Sequence, residues 1–416
     1  MEAFLGVIVV ALGGLIMGSS AWPFKLMKKY QFEHWWFVGM LVGLVIMPWA
    51  ITLLGCSRPL EGLANIPIEA ILLGNLFSIG WGIANVLCGI CYVRIGVALT
   101  GAILAGLGVS VGAITPMIFK GSGSFKDAPD VTSPAGITVC IAIGLMLVGV
   151  ILASLAGFGR DRELKKTSDT SGGFLSGLVM TVLAGILSSF MAFVFVYSQY
   201  PIVANLSRVE SLTEVDNSYL KITVDGETLK CDKPGVYYRK DGKIVWVGTD
   251  YRGLSAWQMG EKVKAALKKN NWPNPNPDVT VSTGSIPATF GVFAIGLIGG
   301  AVVNLGYAAY LLTRNRSWNV LLGSVWELFL AVLIGVGFSL AVALMGKGML
   351  LLGALGASVG FGIQQAMQMT GTQLLGFVSG EWRGVYGTPR KQMYFALAVL
   401  LVASLIMAYG NGLAKS

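Results

Sequence analysis

The chain has 416 residues, 54% of them hydrophobic and only 12% charged, with a mean hydropathy of +0.70. An average soluble domain is about 25% charged, so this composition excludes a single soluble core and a disordered chain; with no Gly-X-Y period among its 56 glycines it also excludes collagen. The formal charge of +9 is a sidedness signal in a chain made of long uncharged apolar stretches, and it implies no nucleic-acid partner.

Charge-poor windows predict ten membrane-spanning helices at 3–22, 35–55, 70–92, 97–119, 135–157, 173–198, 288–312, 324–346, 349–378 and 392–411. Each can cover a hydrocarbon core of roughly 30 Å at about 1.5 Å per residue. The first is read as a span and not as a cleaved signal peptide, because Met1-Glu2 replaces a basic n-region. Polar residues inside such spans are costly and face the bundle interior, so they are the candidate solute contacts. Along the chain they are Asn85, with Trp81 one helical turn before it; Thr115, preceding Pro116; Asn304; and Gln364, Gln365 and Gln368. Amides and hydroxyls hydrogen-bond a neutral polyol, and an indole offers its C–H face a flat apolar surface; interhelical hydrogen bonds and core packing are the competing roles. Glu327 is the carboxylate within a predicted span and the candidate for ion coupling, with an interfacial acid reaching water as the alternative.

Enzyme chemistry finds little support. The one histidine, His34, lies in a predicted cytoplasmic loop, so neither a His-rich metal site nor a Ser-His-Asp triad is expected. Cys88 and Cys91 have C-x-x-C spacing inside an apolar span with no basic neighbour to lower a thiol pKa, so they read as structural thiols. Cys56 and Cys231 are the pair placed for an external disulfide. No cofactor and no metal are expected.

The basic residues sort by loop. Lys25, Lys28, Lys29, Arg94, Arg160, Arg162, Lys165, Lys166, Arg314, Arg316, Arg383, Arg390 and Lys391 fall on one side; Arg58, Lys120, Lys126, Lys347 and Lys415 fall on the other. The richer side is predicted to be cytoplasmic, which puts both termini and the hydrophilic segment 200–285 outside.

The two halves resemble each other. Leu76-Phe77-Ser78-Ile79-Gly80-Trp81-Gly82-Ile83-Ala84 aligns with Leu333-Ile334-Gly335-Val336-Gly337-Phe338-Ser339-Leu340-Ala341 at an offset of 257, which also maps Gly39 and Gly43 onto Gly296 and Gly300. Leu107 to Gly112 aligns with Leu355 to Gly360 at 248, and Leu12 to Leu15 with Leu183 to Ile186 at 171. The step from 171 to 257 equals the length of segment 200–285, so that segment reads as an insertion into one half of a five-plus-five repeat. An odd number of spans per half inverts the second half, the plan of many secondary transporters. The predicted domains are therefore 1–199, 200–285 and 286–416, and the fold class is an all-α polytopic membrane protein with a small α+β external insert. Glycine pairs at 14/18, 39/43, 108/112, 296/300 and 356/360 suit close helix packing.

Within the insert, Asp225-Gly226 and Asp241-Gly242 each lie between strand-forming runs, a strong hairpin signal. A helix over 254–269 follows, with Trp257, Met259, Val263 and Leu267 as its apolar positions. One four-stranded sheet with one helix is predicted; the insert is open to a ligand-capturing, a structural or a partner-facing role.

The membrane part resembles the bacterial L-rhamnose–proton symporter family of the drug/metabolite transporter superfamily. The matching residues are Trp22-Pro23-Phe24-Lys25 with Lys28-Lys29, Glu33, Trp36, Gly39, Pro48-Trp49-Ala50-Ile51, Trp81-Gly82-Ile83 with Asn85 and Gly89, Val111-Gly112 with Thr115-Pro116, Gly299-Gly300 with Asn304-Leu305-Gly306, and Glu381-Trp382. The resemblance implies ten spans, an inverted repeat, and proton-driven uptake of a deoxy-sugar across a bacterial inner membrane. Segment 200–285 is not part of that pattern. The expected function is alternating-access transport of a small polar solute, with a sugar such as L-rhamnose as substrate and protons and the lipid bilayer as partners. A drug or metabolite exporter of the same fold, or a membrane sensor with an external ligand-binding module, are the alternatives.

Overall fold

The computed structural model describes residues 2–56, 59–64, 66–94, 97–119, 128–164, 174–206, 212–215, 221–224, 227–240, 243–249, 256–271 and 286–414. Every one of the ten apolar stretches carries helix, as it must where a lipid-facing backbone has only itself to bond with. The helices are α1 (Glu2–Ser19), α2 (Phe32–Gly55), α3 (Ile68–Arg94), α4 (Val97–Ile118), α5 (Pro134–Glu163) and α6 (Leu175–Leu206), then α7 (Ala256–Lys269) in the insert. After it come α8 (Ile286–Gly296), α9 (Ile298–Arg314), α10 (Val325–Leu352), α11 (Gly356–Val378) and α12 (Thr388–Leu413).

Among the described residues seven helices are long and apolar enough to cross a membrane, and eight if α8 and α9, bent by 60° at Leu297, form one span. Helix α11 falls short on hydropathy because Gln364, Gln365, Gln368 and Gln373 interrupt it. Large apolar side chains such as Leu72, Ile141, Ile151, Val302 and Leu405 stand exposed on these helices, the outward face a bilayer covers.

Local chemistry sets the ends and breaks. The Ser133 hydroxyl accepts the Gly136 N–H at 3.0 Å to open α5, with Pro134 in the first turn where no donor is needed. Gly353 follows α10 with φ of 82°, a conformation that favours glycine, and lets the chain turn into α11. Helix α2 widens into a π-turn at Leu41–Ile46 just before Pro48, and α6 does so at Phe195–Gln199 just before Pro201. A proline cannot donate to the carbonyl four residues back, and the wider turn accommodates that loss. A further break in α6 lies at Ser189, whose N–H bonds Ile186 O at 3.2 Å.

Helix α1 lies between α10 and α11; α3 lies against α6 and α9; α4 touches α5, α6 and α11; α5 runs along α12; and α2 contacts α8, α9 and α10. The bundle holds two buried apolar clusters. One is centred on Phe195, Phe293, Met345 and Trp81, the other on Met146, Leu352, Val359 and Met407.

The insert departs from the predicted single four-stranded sheet. It has five strands, β1 (Leu212–Val215), β2 (Lys221–Val224), β3 (Glu227–Lys230), β4 (Gly235–Lys240) and β5 (Lys243–Gly248). They form an antiparallel sheet of order β1-β4-β5 and a separate hairpin β2-β3. Strand β1 occupies the β4 edge that the β2–β3 hairpin would have needed, with Leu212 opposite Tyr238. Both predicted hairpins are present in register, Val224 opposite Glu227 and Lys240 opposite Lys243, while the Asp-Gly pairs between them lie outside the described residues. Met259, Val263 and Leu267, the expected apolar positions of α7, are buried and pack with Tyr238 and Val245; the Trp257 side chain lies outside the described residues.

All five cysteines are free, so the Cys56–Cys231 disulfide is absent. Burial, and then the Asp232 charge, push the Cys231 thiol up, which keeps it protonated and unreactive.

Candidate functional site

Two helix crossings carry the centre of the bundle. Where α9 meets α3, the Gly299 N–H donates to Asn75 Oδ1 at 2.8 Å and the Gly300 N–H to Ser78 Oγ at 3.0 Å. A Cβ on Gly300 would lie 2.8 Å from Ser78 O and 3.0 Å from the Trp81 ring. Where α2 meets α10, a Cβ on Gly43 would lie 2.8 Å from Gly335 O and 3.1 Å from the Phe338 ring. The glycines thus let the two backbones of each crossing touch and seat an aromatic ring against the contact. Trp81 is the central residue of α3 and Phe338 stands at the centre of α10. Their rings stack on each other with centroids 6.3 Å apart and 25° between planes.

One turn beyond Trp81, the predicted residues Asn85 and Asn304 come together. Asn304, fully buried, donates from Nδ2 to Gly300 O at 2.8 Å, and Asn85 Nδ2 reaches Asn304 Oδ1 at 3.4 Å. Among the described residues Asn85 makes no other side-chain hydrogen bond, so a half-buried amide keeps its oxygen and one N–H unspent. Gln364 and Gln368 pair on α11, Nε2 to Oε1 at 2.9 Å. Gln365 points instead toward α4 and lies beside Gly108. Thr115 is buried near the end of α4, and its carbonyl accepts the Phe119 N–H at 2.8 Å despite Pro116. The asparagine and glutamine pairs are not hydrogen-bonded to each other among the described residues.

Glu327 occupies the first turn of α10, 5% exposed. Its carboxylate accepts the backbone N–H groups of Lys28 at 3.2 Å, Lys29 at 3.0 and 3.1 Å, and Tyr30 at 2.7 Å. Both oxygens are therefore spent on holding the 28–30 loop to the α10 start. Burial, and then the Glu327 charge, push the Tyr30 phenol up. His34 is buried in the same corner, its Nδ1 accepting the Gln31 N–H at 3.0 Å and its Nε2 lying 3.2 Å from Ser317 O.

An ionic cluster went unassigned in the sequence reading. Glu381 pairs with Lys25 through Oε1 and with Arg160 at 3.2 Å through Oε2, while Lys25 also donates to Ser379 Oγ at 2.9 Å. The Arg160 guanidinium stands 5.5 Å from the Trp382 ring centroid. The cluster ties the loops after α1 and α11 to the end of α5. Lys25, Glu381 and Trp382 were visible as matching residues of the family pattern, Arg160 and Ser379 were not, and nothing local in the sequence pairs Lys25 with Glu381. Among the described residues no group of three or more His, Cys, Asp or Glu side chains could hold a metal ion.

The family described as L-rhamnose-proton symport protein matches this chain over residues 2–231, a match that ends inside the insert. Proteins described as L-rhamnose-proton symporter from Yersinia pestis bv. Antiqua (strain Antiqua) and from Yersinia pseudotuberculosis serotype O:1b (strain IP 31758) are each 26% identical over 189 residues, 45% of this chain and 54% of theirs. The chain spans about half the length of the curated relatives it matches.

Proposed function

Because the chain belongs to the L-rhamnose-proton symport protein family, we propose that it is a secondary transporter, carrying a sugar such as L-rhamnose or a related deoxy-sugar together with protons by alternating access. The membrane is proposed to be a bacterial inner membrane, spanned ten times by two inverted halves, with segment 200–285 inserted in one of them.

One observation carries this reading. The 257-residue offset that aligns the halves also maps one helix crossing onto the other. It takes Gly43 to Gly300, Ser78 to Gly335 and Trp81 to Phe338, and a Cβ on either glycine would lie the same 2.8 Å from the partner's carbonyl oxygen. The packing obeys the same exchange. The pairs α1 with α10 and α11 correspond to α6 with α3 and α4; α2 with α10 corresponds to α8–α9 with α3; α4 with α5 corresponds to α11 with α12. The Trp81–Phe338 stack then joins two equivalent positions, at the level where inverted-repeat transporters hold their solute. The polar residues break this symmetry. At the same offset Asn85 meets Val342 and Asn304 meets Met47, so the amides belong to a ligand more than to the repeated packing. We assign solute contact to Asn85, Asn304, Trp81 and the glutamines of α11, with Thr115 at the α4 end.

Uptake of labelled L-rhamnose, other deoxy-sugars and hexoses into proteoliposomes, with and without an inward proton gradient, tests the proposal. Accumulation that follows the gradient is expected; if no solute crosses under any ion gradient, the transporter reading fails.

Glu327 enters the proposal as a clamp, because its lone pairs are already taken. Glu327→Gln puts an amide donor against backbone donors and is expected to cost about 2–3 kcal/mol, lowering both gradient-driven accumulation and sugar exchange. Exchange that persists while accumulation is lost would return the residue to proton coupling.

Sidedness is also proposed: termini and insert outside, the loops holding Lys25, Arg160 and Arg383 inside. In cells, Lys268→Cys on the exposed face of α7 is expected to react with an impermeant maleimide from outside. Arg383→Cys is expected to react only after permeabilisation, and the reverse order would invert the topology.

A further inference from the structure

Gly108 is at the centre of α4, and the groups that approach its bare face are polar and come from two other helices. A Cβ on Gly108 would lie 2.9 Å from Ser188 Oγ, 3.5 Å from Gln365 Nε2 and 4.0 Å from Gly185 O. Ser188 ends the first segment of α6, where the helix breaks. The Ser189 N–H bonds Ile186 O at 3.2 Å, and the Ser188 hydroxyl takes Gly185 O at 2.7 Å. Gln365 lies near the middle of α11, half-buried, and its amide makes no hydrogen bond among the described residues. Ser154, Thr181, Thr370 and Ser404 likewise bond a carbonyl of the preceding turn at 2.7–2.9 Å, so the group left unspent beside Gly108 is the Gln365 amide.

We propose that Gln365 and Ser188, brought together by the missing side chain of Gly108, form a hydroxyl-recognition subsite for a polyol, at the junction of α4, α6 and α11. The inference deepens the transporter reading and rests on it for the ligand class. The donor set fits: the Gln365 amide offers two N–H donors and one acceptor, and Ser188, donating to Gly185 O, keeps its lone pairs for a ligand hydroxyl. The place fits, since discontinuous helices at mid-depth are where secondary transporters bind their solutes. Symmetry fits as well. At offsets of 171 and 248 Ser188 corresponds to Met17 and Gln365 to Met117, while Gly108 keeps a glycine, Gly356. The packing is therefore repeated and the polarity is not. A side chain at 108 would push Ser188 and Gln365 apart, which makes the glycine a specificity determinant.

The test measures equilibrium binding of L-rhamnose and its mono-deoxygenated analogues to purified protein, beside flux in proteoliposomes, for wild type, Ser188→Ala, Gln365→Leu and Gly108→Ala. Ser188→Ala and Gln365→Leu are each expected to weaken L-rhamnose binding about fivefold to tenfold, the scale of one lost hydrogen bond. They are also expected to lose the wild type's discrimination against the analogue lacking one particular hydroxyl. Melting temperatures matching Gly144→Ala, which has open space beside it, separate this from misfolding. Because Gln365→Leu adds apolar bulk, Gln365→Asn repeats its test with the amide kept but shortened. Variants that bind every analogue as wild type does, with flux intact, overturn the subsite and leave the transporter reading standing. Absent wild-type flux with sugar binding weakened in the variants keeps the subsite and overturns transport. A wild type that binds no sugar overturns both.

Discussion

Gly18→Ala is expected to cost the folded bundle about 2–3 kcal/mol, the usual range for overpacking, although alanine is the better helix former by about 1 kcal/mol. The loss follows from what the new Cβ would meet. It would run into the Gln368 carbonyl oxygen and lie 2.8 Å from Thr372 N. One turn earlier, a Cβ on Gly14 would lie 2.6 Å from Met367 Cβ and 3.1 Å from Gln368 N. Backbone atoms of α11 cannot rotate aside as a side-chain end would, so α1 must move away. That movement breaks the bond from Thr372 Oγ1 to Gly18 O, at 3.0 Å. It also disturbs α10, because α1 is wedged between α10 and α11. Thermal melting of purified protein in detergent reads the effect. Gly144→Ala and Gly306→Ala, where nothing lies within 4 Å, are the matched controls and are expected to melt at or slightly above wild type. A Gly18→Ala melt indistinguishable from the controls would mean that the crossing is looser than these distances say.

Such close approaches were half legible. The glycine pairs flagged the right helices, yet within 39/43 and 296/300 only the second glycine is tight. A Cβ on Gly39 or Gly296 would have its nearest neighbour at 3.5 Å, ordinary contact. Spacing identifies a face, and the crossing point on that face depends on the partner helix. The helices themselves were readable because hydrocarbon forces an uncharged stretch to bond internally. Pro48 and Pro201 also carried the signal for the two π-turns, while the 60° bend at Leu297 has no proline to announce it. The sequence alignment already matched Trp81 with Phe338. It held no sign that the two rings stack, because that requires both crossings to form. Lys25 and Glu381 illustrate the remaining limit: 356 residues separate them, and only tertiary packing pairs them. Strand β1 was missed for the same reason, since its partner β4 follows a whole hairpin later.

Asn85→Ala is expected to raise the KM for sugar uptake about tenfold, a loss of roughly 1.4 kcal/mol of transition-state binding, and to leave the melting temperature nearly unchanged. The two halves of that expectation come from one bond length. At 3.4 Å the Asn85–Asn304 contact is long, near the limit of a real hydrogen bond. Interhelical hydrogen bonds in membranes contribute from about 0.6 kcal/mol by double-mutant cycles to about 1–2 kcal/mol in model peptides, and a long one falls at the low end. Asn85 therefore contributes little to holding α3 against α9, and its unspent oxygen and N–H are available to a solute. Asn304 differs because its 2.8 Å bond to Gly300 O and complete burial tie it to the helix that carries the crossing. Asn304→Ala is expected to lower both melting temperature and uptake. Since Asn304 orients Asn85, the double variant should lose less binding than the two single losses added together. A purely structural pair would reverse the pattern, with Asn85→Ala melting early and transporting with an unchanged KM. That result would move the solute site away from α3 and leave the glutamine side of the bundle, at α11, to carry recognition alone.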